Sequence, residues 1–305
     1  MAEVITVQDL RKSYGNFEAV KGISFAVEEG EVLAVLGPNG AGKTTTVEIL
    51  EGYLPRNSGT VSVLGMDPAQ GGSELRHRIG IVLQECGVEP YLTVVEALRM
   101  TAQFYRRPRS VEEVISLVGL QDKADSRVKK LSGGQQRRLD VALGLIGDPE
   151  LLFLDEPTTG FDPTARRQAW DIVANLASLG KTVVLTTHYM DEAQALADRV
   201  LVISAGRIIA EGPPESIGGR ASAAAQIRFG MPAGKAVTDL PVAVDQMTDG
   251  LVTIETSEPT EVLCRLTSWA MENGGELDGL SVTRPSLEDV YLALTTAEST
   301  GGSGE

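Results

Sequence analysis

At 305 residues the chain is long enough for one large α/β domain plus a smaller one. Its 42% hydrophobic and 23% charged content is ordinary for a soluble globular protein, while a net charge of −15 argues against the broad basic face that nucleic acid requires and otherwise reads as an acidic surface that keeps the protein soluble. Cys86 and Cys264 are too few for a disulfide framework or a thiolate metal site, and they fit a reducing compartment.

The start, Met1-Ala-Glu-Val-Ile-Thr-Val, has no basic region followed by an apolar one, so no signal peptide is expected. No stretch approaches the roughly 18 uninterrupted apolar residues of a membrane span. Val4–Val7 and Glu18–Val27 are predicted strands around the turn residues Gly15 and Asn16. Glu31–Leu36 is an apolar, buried-type strand running into Gly37-Pro38-Asn39-Gly40-Ala41-Gly42-Lys43-Thr44, and Lys43–Leu50 is a predicted helix. That strand–loop–helix is the setting in which a G-x-x-x-x-G-K-[ST] loop cradles phosphates. Gly37, Gly40 and Gly42 let the backbone wrap them, Lys43 reaches the β- and γ-phosphates, and the Thr44 hydroxyl suits Mg²⁺. Pro38, Asn39, Ala41 and Thr45 complete the expected lining.

From about residue 90 the spacing turns helical, over Thr93–Arg106, Val111–Val118 and Gly134–Gly147. The last of these opens on Leu131-Ser132-Gly133-Gly134-Gln135, a Gly-rich helix start and thus a second anion site. Strands return at Leu151–Leu154 and Thr182–Thr187 around a helix over Thr164–Leu179. The alternation predicts a mostly parallel, doubly covered sheet. Val200–Ser204 and Arg207–Glu211 form a predicted hairpin turning at Ala205-Gly206, and Gly212-Pro-Pro214 with Gly218-Gly219 marks a boundary. Beyond it, strands are expected at Ala225–Phe229, Val242–Gln246, Leu251–Thr256 and near Leu280–Thr283, with helices over Pro259–Asn273 and Leu287–Leu294. The expected domains are therefore 1–215, a small α+β unit at 220–297, and a disordered Gly/Ser-rich tail at 298–305.

Asp155 and Glu156 end an apolar strand, where open α/β sheets bind their ligands. Asp155 suits Mg²⁺. Glu156 either orients and polarises an attacking water or caps the turn at Pro157. His188 ends the next strand, where it is either structural or a γ-phosphate contact. His77, between Arg76 and Arg78, is expected to be a solvated surface residue.

Gly37–Thr44, Leu131–Gln135 and Leu151–Glu156 follow the order and approximate spacing of the Walker A, signature and Walker B motifs. Over residues 1 to about 215 the chain resembles the ATP-binding subunits of ATP-binding cassette (ABC) transporters. Gln84, in Ile81-Val-Leu-Gln84, resembles the Q-loop glutamine, with the metal and catalytic contacts that this implies. Gly160-Phe-Asp162-Pro163 resembles the D-loop, with Phe161 standing where many relatives carry a smaller aliphatic residue. Thr187-His188 resembles the H-loop, and Tyr14 the adenine-stacking aromatic.

The resemblance implies an α/β P-loop NTPase cassette, with a parallel-sheet core, an antiparallel β subdomain and a helical signature subdomain. Its cofactors are ATP and Mg²⁺. Two cassettes, expected as a homodimer, pair head to tail, so that Lys43 and Asp155 of one copy face Ser132 and Gly134 of the other across the γ-phosphate. Thr93–Arg106 and the loop carrying Cys86, Glu89 and Tyr91 would receive a helix of an ABC-2-type permease, peripheral to the cytoplasmic side of the plasma membrane. Pro285-Ser-Leu-Glu-Asp-Val-Tyr-Leu-Ala-Leu294 and Asp191-Glu-Ala-Gln-Ala resemble the drug-resistance exporters, such as those for daunorubicin. That implies export of drugs or of hydrophobic, lipid-like compounds, with the last unit bracing the dimer or regulating the ATPase. The alternative is an ABC ATPase acting as a soluble switch in translation or repair. Such relatives carry two cassettes or an inserted coiled coil, and this chain has neither. A module that holds ATP without cleaving it is disfavoured by the presence of Glu156 and His188.

Overall fold

The computed structural model describes residues 2–82, 87–219, 223–232, 234–273 and 275–292. The chain divides into two compact units, Met1–Pro214 and Glu215–Glu305. Gln84 and Cys86, the end of the helix expected to run to Leu294, and the tail from Ser299 lie outside the described residues.

The first unit opens on a hairpin, β1 (Glu3–Tyr14) and β2 (Phe17–Glu28). Both strands exceed their predicted lengths. A register shift between Val7 and Leu10, with Asp9 at φ 46°, breaks the period-2 alternation that a strand signal needs. Then follow β3 (Val32–Leu36), α1 (Lys43–Leu50), β4 (Ser58–Val63), α2 (Gly72–Arg78) and β5 (Ile79–Val82). No element was predicted at β4, α2 or β5: each is four to seven residues long, too short for periodicity to declare. His77, on α2, meets the Tyr105 ring edge-on at 6.0 Å between centroids and is half-buried, so it is a packing residue rather than the solvated one expected.

Next come α3 (Val94–Ala102), α4 (Val111–Leu117), α5 (Gly133–Leu145), β6 (Leu151–Asp155), α6 (Pro163–Ser178), β7 (Thr182–Thr187) and α7 (Met190–Leu196). The hairpin β8 (Arg199–Ser204) and β9 (Arg207–Gly212) turns at Ala205-Gly206, as predicted. Helix starts are written locally. Thr93 and Glu96 cap α3 reciprocally, Ser110 caps α4, and Asp162 caps α6 with Pro163 in its first turn.

Two sheets result. One is antiparallel, in the order β2-β1-β4; the other runs β5-β6-β7-β3-β8-β9 and is parallel except for β9. Every residue of β3 and β7 is buried, as is Leu151–Leu154 of β6. Strands covered on both faces read as such unbroken apolar runs. The carboxyl ends of β3, β6 and β7 lie side by side in this order, which brings the phosphate loop, Asp155-Glu156 and His188 to one edge.

One carboxylate is buried against the grain of this core. Glu51, directly after α1, is 5% exposed. Burial, and then the charges of Asp155 and Glu48, push its pKa from the ordinary 4.5 up to about 8. The folded form thus binds a proton that the unfolded form has released, and stability is lost as pH rises from about 4.5 to 8. Glu51→Gln is expected to raise the melting temperature at pH 8, by a stabilisation on the order of a few kcal/mol. At pH 5 it should change little, and thermal unfolding at the two pH values checks both halves.

The second unit pairs β10 (Ala225–Gly230), β11 (Gln246–Thr248), β12 (Leu251–Thr256) and β13 (Ser281–Thr283) into an antiparallel sheet, β11-β12-β10-β13, with α8 (Pro259–Glu272). Ile227, Phe229, Val252, Ile254 and Leu266 are its core. The strand expected over Val242–Gln246 does not form there. Val242 and Val244 pack against this core without pairing, and the strand begins at Gln246. The Asp249-Gly250 turn, with φ 50° and 81°, sets the β11–β12 hairpin and so its register.

Candidate functional site

The loop between β3 and α1 admits little change. A Cβ on Gly37 would stand 2.2 Å from the Ile203 carbonyl oxygen, and one on Gly42, at φ 103°, 2.5 Å from that of Ala19. Lys43 is 5% exposed, and its Nζ donates to the carbonyls of Gly37 at 2.7 Å and Pro38 at 3.2 Å. Burial lowers its pKa, against the pull of Glu156 and Asp155. The ammonium is thus aimed inside its own loop.

A cavity of about 410 Å³ lies against this loop, lined by Tyr14, Pro38, Asn39, Gly40, Gly42, Lys43, Thr44, Thr45, Asp155 and Glu156. Ten of the sequence-predicted residues therefore meet in one place, at a size suited to a small ligand. Ala41 is buried beneath the loop. Tyr14 is 48% exposed, with Lys12 Nζ 5.3 Å from its ring centre. Phe17, 62% exposed on the same lining, was missed. Its signal was available, since a two-residue turn pairs it directly with Tyr14.

Glu156 is the most constrained residue here. Its φ of 44° is a left-handed conformation uncommon outside glycine and asparagine. It is held by backbone N–H donation to the Thr186 hydroxyl at 3.0 Å and the Thr186 carbonyl at 3.2 Å. Its Oε2 accepts from the Thr159 hydroxyl at 3.0 Å. Its Oε1 lies 3.2 Å from His188 Nδ1 and 4.0 Å from Lys43 Nζ. Both oxygens thus have partners, one of them the Thr159 hydroxyl in the turn that follows Pro157, while the group lines the cavity. Asp155 Oδ1 accepts from the Thr186 hydroxyl at 2.5 Å.

Thr44 and Asp155 offer hard oxygens on one cavity wall. Among the described residues no group of three or more His, Cys, Asp or Glu side chains could hold a metal ion alone. That donor set fits Mg²⁺ taken with substrate phosphates, which needs only one or two protein ligands.

The second glycine motif lies elsewhere. Ser132, Gly133, Gly134, Gln135 and Asp162 line a separate cleft of about 630 Å³. Ser132 caps α5, its hydroxyl accepting from the Gln135 N–H at 3.4 Å and its N–H donating to Gln135 Oε1 at 3.0 Å. Asp162 Oδ1 accepts from the N–H groups of Thr164 and Ala165, each at 2.9 Å. Half-buried Phe161 lies in the same cleft.

Arg137, on α5, links the two regions and was not singled out from sequence. Its Nε donates to the Pro157 carbonyl at 3.1 Å and an Nη to that of Asp155 at 3.0 Å. On the surface expected to meet a permease, Tyr91 is 63% exposed, with Lys129 Nζ 4.2 Å from its ring centre.

Comparison with known proteins adds an independent line. A family profile described as "ABC transporter" matches residues 20–159, and one for an "ABC transporter domain-containing protein-like, C-terminal domain" matches residues 225–286. The daunorubicin resistance ATP-binding protein DrrA3 of Streptomyces coeruleorubidus is 39% identical over 305 residues, 95% of each chain. The Nod factor export ATP-binding protein I of Cupriavidus metallidurans is 40% identical over 222 residues, 71% of this chain and 73% of that one. Among solved structures, the dimeric ATP-binding cassette MJ0796 in a post-hydrolysis state with ADP and Pi superposes with a TM-score of 0.62 at 26% identity, covering 68% of this chain and 98% of that one.

Proposed function

The chain belongs to the ABC transporter ATP-binding proteins and is an ATPase of that family; from that premise we propose that it is the motor subunit of an exporter, working as a pair of cassettes on a separate permease. The observation that carries the reading is the division of the phosphate machinery. Lys43 and Asp155 line one cavity while Ser132, Gly134 and Gln135 line another, as expected of a chain that holds half of each of two composite sites.

The chemistry follows from the residues present. The loop backbone and Lys43 bind the phosphates, and Tyr14 offers a ring face to the base. Thr44 and Asp155, with Gln84 in the resemblance, would hold Mg²⁺, which would supply charge neutralisation to the phosphates. Glu156 orients a water and accepts its proton as the water oxygen bonds to the γ-phosphorus and the bond to the bridging oxygen breaks, leaving ADP and phosphate. His188 Nδ1 steadies the Glu156 carboxylate, leaving the other ring nitrogen for the γ-phosphate. In the pair, the start of α5, with Asp162 beside it, faces the partner's nucleotide as a ready anion site.

Relatives named for daunorubicin resistance and for Nod factor export support the export reading, in which the cargo is a drug or a hydrophobic, lipid-like compound and the permease is of the ABC-2 type. Among the described residues no helix is long and apolar enough to cross a membrane, so attachment to the cytoplasmic face would run through that permease. Purifying the tagged full chain from detergent-solubilised membranes is expected to bring down a polytopic membrane protein in a fixed ratio. Recovery with soluble partners alone would overturn the exporter reading.

A further inference from the structure

Glu192, on α7, is 0% exposed and has no place in the nucleotide cavity. Its Oε1 accepts from the Thr158 hydroxyl at 2.8 Å and from the Trp170 indole N–H at 3.1 Å. Its Oε2 is buried without a hydrogen-bond partner among the described residues. Burial raises its pKa, while the side chains of Thr158 and Trp170 hold it down. A carboxyl in such a place is an expensive way to fill space, because an apolar side chain of similar volume removes the desolvation cost.

What the carboxyl touches gives it a purpose. Thr158 precedes Thr159, whose hydroxyl donates to Glu156 Oε2, and Glu192 itself stands on α7 in the segment that follows His188, whose Nδ1 faces Glu156 Oε1. We infer that Glu192 is a positioning residue for ATP hydrolysis: by joining the turn after β6 to the segment after β7, it sets the two contacts that orient the Glu156 carboxylate. The inference rests on the reading of Glu156 as the group that orients the attacking water. The same neighbourhood carries a second tie. Arg166 pairs with Asp191 at 2.9 Å and lies 4.4 Å from the Tyr189 ring centre, and that ring lies 4.0 Å from the His188 ring.

The test is ATPase kinetics on the full chain with Mg²⁺-ATP. Glu192→Met removes the acceptor while keeping volume, and is expected to lower kcat by about 10- to 100-fold. ATP affinity, read by equilibrium binding, should stay within about twofold, since the nucleotide contacts are elsewhere. Glu192→Gln keeps an oxygen for Thr158 and Trp170 and should restore kcat to within about threefold of the parent. In a Glu156→Gln background, Glu192→Met should leave the residual rate unchanged, because the group it positions is already lost; a purely structural role would multiply the two defects. Thr158→Val, which removes only the hydroxyl, should lower kcat by about threefold or more and decides the matter if Glu192→Met does not fold. Normal kcat in Glu192→Met, or in Thr158→Val where that variant decides, overturns the inference, as do equal losses in Glu192→Met and Glu192→Gln. Full turnover by Glu156→Gln alone would instead sink the reading beneath it.

Discussion

Glu156→Gln is expected to reduce steady-state ATP hydrolysis by about 100- to 10,000-fold, the range lost when a positioned general base is removed. Glutamine keeps the shape and can still accept from Thr159, so the segment after β6 keeps its course. It cannot take a proton from water. It also removes a negative charge 4.0 Å from Lys43 Nζ, which should favour the bound triphosphate. Binding without cleavage then accumulates the closed pair. Light scattering should show a dimer with Mg²⁺-ATP and a monomer with ADP. Turnover at the parent rate would exclude Glu156 as the base.

Gly134→Asp is expected to abolish ATP-driven pairing and lower hydrolysis by about 100-fold or more, with ATP affinity of the monomer nearly unchanged. Within one chain the change is tolerable. A Cβ at Gly134 meets only Ala165 Cβ at 3.6 Å, an ordinary contact. An acidic residue in the first turn of α5 also suits the positive end of the helix. Across a closed pair, that carboxylate would stand against the partner's triphosphate, where like charges a few ångströms apart repel by roughly 1 to 4 kcal/mol depending on local screening. Combined with Glu156→Gln, the variant should stay monomeric in Mg²⁺-ATP. Equal loss of ATP binding and hydrolysis would argue that the site is complete within one chain.

What could be read from sequence was whatever depends on near neighbours. The phosphate loop, the buried runs of β3, β6 and β7 and the Gly-rich start of α5 all declare themselves within a few positions. The carboxylates at the end of β6 were legible for the same reason. Buried ionisable groups outside the phosphate loop were not. Glu192 finds Thr158 across 34 positions, and Arg137 finds the Asp155 carbonyl across 18, so no local pattern marks either one. Glu51 carries no mark in the sequence, and only the packing around it buries it. The misplaced strand at Val242–Gln246 has the opposite origin: its alternation was real, but it serves packing rather than pairing. In the proposed pair the second cleft is completed by another chain, which no single sequence depicts.

The left-handed backbone at Glu156 sets stability and activity against each other. A non-glycine residue held there is disfavoured by about 1–3 kcal/mol, and glycine at the same position would carry almost none of that strain. Heat resistance and turnover are therefore opposed at this one position. A library of variants sorted only for survival at high temperature would enrich glycine at position 156 and discard the side chain proposed to orient the attacking water.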